Sequence, residues 1–155
     1  KEYWKNMPSR RIDAATEAEN AVIDKIFKIY NETGWQRSVD GLWRYDAQQC
    51  TVKNFHRPNH DPNIRFDDGF LSLYYDNQNK AIWIGCWVSG LMRFDMSTEE
   101  MVEYNYADKS KVQNGVITIQ QSGFKDEKNI LWLGTTDGVK TFDIQSKKFK
   151  DYNLS

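Results

Sequence analysis

The sequence predicts an all-β chain of short antiparallel strands arranged in three tandem repeats, and three observations predict it. The first is a recurring phrase. Ala81-Ile82-Trp83-Ile84-Gly85-Cys86 and Leu91-Met92-Arg93-Phe94-Asp95 read as two strands around a tight turn, and Ile130-Leu131-Trp132-Leu133-Gly134 with Gly138-Val139-Lys140-Thr141-Phe142-Asp143 repeats them. A third copy, worn at its front, ends in Asp40-Gly41-Leu42-Trp43-Arg44-Tyr45-Asp46. The second observation is register. Gly41, Gly90 and Gly138 lie 49 and 48 residues apart (90 − 41 and 138 − 90). Asp46, Asp95 and Asp143 keep those spacings, as do Phe55, Tyr104 and Tyr152. The third is punctuation: Asp76–Lys80 and Gly123–Asn129 are rich in Gly, Asn, Asp and Lys, the composition of hairpin loops.

Taken in order, residues 1–19 open with Glu2-Tyr3-Trp4, which matches the closing strand of a preceding repeat, and continue as a polar connection through Pro8. Residues 14–30 carry two signals. Val22, Ile23, Ile26, Phe27 and Tyr30 fall on a helical stripe, yet Asn20-Ala21-Val22-Ile23 aligns with Asn114-Gly115-Val116-Ile117 at the start of the third repeat. Repeat logic takes precedence, so Val22–Tyr30 is expected to be a strand, with a short helix at 13–19 compatible with it. Trp35-Gln36-Arg37-Ser38 stands where Trp-Ile-Gly is expected, and 35–40 is assigned to a connecting loop. Gly41–Asp46 and Thr51–Phe55 follow as strands, and 56–69 is a long loop. Phe70–Tyr75, Ala81–Cys86, Leu91–Phe94 and Met101–Tyr104 make a second set of four strands. Val116–Gln121, Ile130–Gly134, Val139–Phe142 and Lys148–Tyr152 make a third.

Four short strands every 48 or 49 residues is the arithmetic of β-propeller blades, small sheets whose faces neighbouring blades must cover. The expected division is 1–19 as the end of a preceding blade with its connection, 20–55 as a divergent blade, and 56–104 and 105–155 as further blades. The anchors have structural jobs. Trp83 and Trp132 suit the seam between blades, and Gly85 and Gly134 permit close backbone approach. Gly41, Gly90 and Gly138 suit turns of positive φ, while Asp46, Asp95 and Asp143 can accept backbone N–H groups in the turn that follows. A ring needs about four blades at minimum. Three therefore imply part of a larger propeller, completed by other blades of a parent chain or by a second copy.

Composition narrows the function classes. The 155 residues are 39% hydrophobic and 14% aromatic, with six tryptophans and a formal charge of −1. No basic run suggests a nucleic-acid surface; Arg10-Arg11 and Lys147-Lys148 read as solvated pairs. No apolar run approaches the roughly 20 residues that span a bilayer, so no membrane contact is expected of this segment. The sequence starts without Met and shows no signal peptide, so an excised or processed piece is expected. Cys50 and Cys86 make no disulfide framework, and unpaired thiols are the expectation.

The unit resembles the two-component regulator propeller repeat, whose pattern is an Asn-initiated apolar strand, Leu/Ile-Trp-Ile-Gly-Thr, a short loop, Gly-Leu-x-Arg-Phe-Asp and an aromatic-closed last strand. The second and third units match over nearly their whole length, and the first matches from Asp40 on. That resemblance implies an extracytoplasmic (periplasmic) sensor region of a hybrid two-component system, of the Bacteroidetes type that senses glycan breakdown products. In such proteins a transmembrane helix, a histidine kinase and a DNA-binding regulator follow. None of those parts is in these residues.

No nucleophile–base pair or paired carboxylates stand out, and no cofactor is implied. His56, His60, Asp61, Asp67 and Asp68 share one loop, but without regular structure to fix their spacing a solvated connection is expected rather than a metal site. Ser38–Trp43 faintly resembles the Asp-box of sialidase propellers, and falls on the repeat's own turn. Two kinds of loop are expected on one face of the ring: 5–19, 56–69 and 105–115 between units, and 35–40, 87–89 and 135–137 within them. There Trp35, Arg37, His56, Arg57, His60, Arg65, Trp87 and Asp137 have chemistry to offer. Trp35 and Trp87 can stack on a sugar ring while Arg37, His56, Arg65 and Asp137 hydrogen-bond its hydroxyls. The alternative is that both indoles extend the seam packing. The functional expectation is a non-catalytic sensor module for glycan-derived ligands, the alternative a structural protein–protein interaction propeller without a small ligand.

Overall fold

The computed structural model describes residues 35–38, 41–46, 51–58, 69–106 and 115–152. They form three sheets from eleven strands, with no α-helix among the described residues. The first sheet holds β1 (Trp35–Ser38), β2 (Gly41–Asp46) and β3 (Thr51–Phe55), in that order. The second holds β4 (Phe70–Asp76), β5 (Ala81–Cys86), β6 (Leu91–Asp95) and β7 (Met101–Tyr104). The third holds β8 (Val116–Gln121), β9 (Ile130–Thr135), β10 (Gly138–Asp143) and β11 (Lys148–Asp151), again in sequence order. Neighbours in the second and third sheets pair antiparallel throughout. The chain divides into two compact units, Lys1–Gln36 with Leu42–Phe55, and Arg37–Gly41 with His56–Ser155. The expected strand Val22–Tyr30 lies outside the described residues.

Expected strands and observed strands agree to within a residue or so at each end, and one assignment is corrected. Residues 35–38 are not loop: Trp35–Ser38 is strand β1, hydrogen-bonded to β2. Trp35 stands 48 residues before Trp83 (83 − 35) and is the first unit's own copy of that anchor. Its ring lies 5.9 Å from Phe55 at 37°, matching Trp83 on Tyr104 at 6.0 Å and 39°. Two smaller differences concern turns. Thr135 belongs to β9, so the turn is Thr136-Asp137 alone, and the 123–129 loop contains a 3-10 turn at Lys125–Glu127.

Within the larger unit the second and third sheets pack face to face. Cross-strand partners share a face, so Tyr74, Trp83 and Arg93 align with one another, and Ser72, Gly85, Leu91 and Tyr104 beside them. This face meets Val116, Leu131, Leu133 and Phe142 of the third sheet in one apolar cluster. The Phe142 ring reaches both Trp83, at 5.5 Å, and Tyr104, at 5.1 Å. A Cβ at Gly85 would run into the carbonyl oxygen of Val116, so glycine is what lets β8 cross so closely. The seam also has a polar link: the Tyr74 hydroxyl donates to Gln121 Oε1 at 2.6 Å. Burial, and then the nearby charge of Asp76, push the Tyr74 phenol above its ordinary pKa.

The turn residues do what their chemistry allows. Gly41, Gly90 and Gly138 have φ of 122°, 77° and 104°, the region glycine occupies at least cost. Asp95 Oδ1 accepts from the backbone N of Ser97 and Thr98, at 2.9 and 3.1 Å. Asp143 Oδ1 accepts likewise from Gln145 and Ser146, at 2.8 and 3.1 Å. The residues that Asp46 would bind lie outside the description. Cys86 is buried, and Cys50 is not among the described residues.

Two predictions follow from the packing and the turns. Gly85→Ala forces the Val116 carbonyl away from β5 and is expected to cost about 1–3 kcal/mol in urea unfolding. Gly123→Ala, with nothing within 4 Å of its Cβ, is expected to be neutral. The Ser97 and Thr98 amides, helped by Arg93, hold the Asp95 carboxyl below its usual value, and the Ser146 and Gln145 amides hold Asp143 below it. A depressed carboxyl stabilises the fold above its unfolded pKa, and that contribution is lost as pH falls through the folded value. Asp95→Ala with Asp143→Ala should therefore lower stability at neutral pH and flatten its loss on acidification, measured by urea unfolding from about pH 7 to about pH 2.

Candidate functional site

The candidate site is the end of the larger unit where the β5–β6 and β9–β10 turns meet the segments entering β4 and β8. Both sheets brace their turns the same way. Trp87 N donates to Gly69 O, and Thr136 N to Gly115 O, each at 2.9 Å. Gly115 lies between the two loops: a Cβ there would sit 3.0 Å from the Trp87 carbonyl and 2.7 Å from Thr136 Cγ2. Tyr106 lies beside it, its hydroxyl donating to Gly115 O at 3.4 Å and reaching Thr136 Oγ1 at 3.5 Å. The result is a rigid rim. On it the Trp87 side chain is 52% exposed, with Val88 exposed beside it.

Lys140 anchors the rim from below. It is buried on the seam-facing side of β10, opposite Leu133, with Nζ 4.7 Å over the Tyr106 ring. Its ammonium donates to Asp137 Oδ2 at 3.4 Å and to the Asp151 carboxylate. Burial draws the Lys140 pKa down, but the hydrogen bonds to Asp151 and then Asp137 outweigh it and leave the pKa raised. The cluster was not foreseen from sequence, although a signal existed. Unit two has Met92 at this place and unit one has Trp43 (140 − 92 = 48, 92 − 43 = 49), so the lysine breaks the repeat's apolar pattern.

The expected ligand residues are distributed as follows. Trp87 and Asp137 stand on the adjacent loops that Gly115 ties together, both exposed. Arg37, exposed in β1, donates from Nη1 to the Phe70 carbonyl at 3.0 Å, next to the Gly69 that accepts from Trp87. Trp35 is a core residue of its sheet, only 7% exposed. His56 is exposed just after β3, and Arg57 lies 4.0 Å from Glu103. Arg65 and His60 are outside the described residues. Among the described residues no three His, Cys, Asp or Glu side chains are placed to hold a metal ion.

Lys140 gives a test of how the rim is held. Restoring the apolar residue with Lys140→Met exchanges a buried cation for a hydrophobe of similar length and strands no buried charge, because the Asp137 and Asp151 side chains are 60% and 69% exposed. The variant is expected to keep stability to within about 1 kcal/mol near pH 7. A raised lysine stabilises below its unfolded pKa and loses that contribution as pH rises through the folded one. The variant should therefore show a shallower alkaline decline than the parent chain in urea unfolding above about pH 10, with the share due to the raised Tyr74 phenol retained.

No family model and no curated protein matches this sequence. Solved structures do. The extracellular domain assigned to the hybrid two-component system BT3049 of B. thetaiotaomicron matches with a TM-score of 0.61 at 23% identity, over 77% of this chain and 16% of that one. The extracellular domain of BT4673 from the same organism, described both as a one-component and as a hybrid two-component system, matches with a TM-score of 0.60 at 17% identity, over 78% of this chain and 15% of that one. The chain thus spans about a sixth of the length of these neighbours. No helix among the described residues is long and apolar enough to cross a membrane. At these identities the likeness is one of fold: an all-β chain of antiparallel sheets, similar to extracellular domains assigned to hybrid two-component systems.

Proposed function

We propose that the three sheets are blades of a β-propeller in the periplasmic, extracytoplasmic sensor region of a two-component signal-transduction protein. The segment does no chemistry of its own. Its rim takes a glycan-derived ligand, and occupancy is relayed through the rest of the parent protein. Two kinds of observation support this reading: the fold shared with extracellular domains of sensor systems, and the exposed Trp87 indole on a braced rim. The indole carries the ligand assignment. An aromatic face with hydroxyl and carboxylate groups nearby suits the apolar face and hydroxyl edge of a sugar ring. Thr136, Tyr106 and Asp137 are the polar groups on the neighbouring loops. Arg37 is already engaged with the chain's own carbonyl.

A second reading, an interaction propeller without a small ligand, is favoured by Phe124. This side chain is 70% exposed on the loop between β8 and β9, a loop braced by the Ser122 hydroxyl, which donates to Glu127 Oε2 at 2.6 Å. An aromatic held out on a stiff loop is the kind of anchor that protein interfaces use.

The two readings separate in a saccharide titration followed by tryptophan fluorescence and by melting temperature. The sensor reading expects at least one oligosaccharide to raise the melting temperature, and Trp87→Ala to weaken its binding by about tenfold or more with the fold intact. Absence of any response across the panel, or a response unchanged in Trp87→Ala, overturns the rim assignment.

A further inference from the structure

Two turns carry the rim, residues 87–89 and 136–137, and of these residues Asp137 alone is charged. Its side chain is 60% exposed. Beneath it the Lys140 side chain is 7% exposed, and its ammonium serves two carboxylates at once. Asp137 meets it through Oδ2 at 3.4 Å, and Asp151 is the nearer partner. Asp151 is itself 69% exposed. One buried cation thus answers two exposed anions, and the group keeps one negative charge in excess. The cation lies too deep to meet a ligand. What the rim presents to solvent is the carboxylate.

The indole stands next to this charge. The Cβ position of Gly115 is 3.0 Å from the Trp87 carbonyl oxygen and 2.7 Å from Thr136 Cγ2, so the two turns border one point, and Asp137 is the next residue along. Among aromatic side chains indole offers the best face to an ammonium group. A carboxylate accepts from that ammonium through charge-assisted hydrogen bonds, roughly twice as strong as neutral ones. A neutral sugar can use the indole but gains only ordinary hydrogen bonds from Asp137, and an acidic sugar is repelled by it. The other segment bordering Trp87 carries a cation instead: Arg37 donates to Phe70 O, beside the Gly69 that accepts from Trp87 N. The rim therefore has a polarity, and its anionic end is the turn of the third sheet.

We infer that the rim is selective for a saccharide with a free amino group, of the glucosamine type, whose ring stacks on Trp87 and whose ammonium is received by Asp137. Asp137 is the residue that determines this specificity. Lys140 tunes it from below, because it competes with the ligand for the same carboxylate. The inference rests on the saccharide reading of the rim given above and names the ligand class of that site.

The test uses three β-linked dimers, of glucosamine, N-acetylglucosamine and glucose. They share a ring skeleton and differ in carrying an ammonium, an acetamide or a hydroxyl at the second carbon. Binding is measured by titration calorimetry at about pH 6, below the pKa of a free amino group. The glucosamine dimer is expected to bind about tenfold or more tightly than the other two. Asp137→Asn should bring it down to their level. Lys140→Met, which removes the competing cation, should strengthen it roughly twofold to fivefold. Asp126→Asn, at an exposed carboxylate on the β8–β9 loop, should change nothing. Urea unfolding of each variant checks the fold. Equal binding of all three dimers, weakened throughout by Trp87→Ala, overturns the inference and leaves the saccharide reading standing. A glucosamine preference that survives Asp137→Asn overturns it, and so does one lost equally in Asp126→Asn. If none of the three binds, the inference fails as well, and the wider saccharide panel decides the rim reading on its own.

Discussion

The larger unit depends on one contact, the Phe142 ring set against Trp83 and Tyr104, with the Val116 backbone drawn in over Gly85. A four-stranded sheet with apolar residues on both faces is not a stable object in water. The second sheet is extreme in this respect, since every residue of β5 is buried. Aromatic rings supply large area at this seam, and their tilted and edge-on geometries fix an orientation that aliphatic packing would leave looser. The close crossing has a further consequence at the end of the sheets. It holds Gly115 against the Trp87 carbonyl and the Thr136 side chain, so the rim is positioned by the same packing that stabilises the fold.

Most of the architecture was legible in the sequence because the anchors have backbone jobs that few residues can do. Glycines at positive φ and aspartates that bind the amides of the following turn recur in register, and the strands between them follow. The front of the first unit was not legible for a related reason. Arg37 occupies the place of Gly85, and the side chain does by hydrogen bonding what glycine does by absence. With the glycine gone the Trp-Ile-Gly phrase is lost and the sequence points to a loop, although Trp35 lies in strand β1 and packs on Phe55 as Trp83 packs on Tyr104. A search for equivalent roles rather than equivalent letters would have found it.

The rim was legible only in part. Trp87 follows directly from the motif, because a large aromatic just past the end of a buried strand has nowhere to go but the turn. The group of Lys140, Tyr106, Asp137 and Asp151 was hidden because it forms across three segments, and each member alone has an ordinary explanation. Lys140 is the exception that pairwise comparison of the units exposes. Where the other units place methionine or tryptophan, this one places a cation whose charge must then be satisfied by carboxylates at the sheet's margin.

Positions that agree between units and positions that differ therefore divide the work of the molecule. The agreeing ones, Trp83 with Trp132 and Gly90 with Gly138, build the sheets and their turns. The differing ones, Lys140 against Met92 and Trp87 against Thr136, are concentrated at or just below the rim. Lys140 joins the two sets: its stem lies in the seam, and its ammonium fixes Asp137 in the turn above. A change at the rim that moves Asp137 must disturb this cation, and a change in the spacing of the sheets must disturb it as well. The buried lysine is thus the place where the turn at the rim and the packing in the seam are physically coupled.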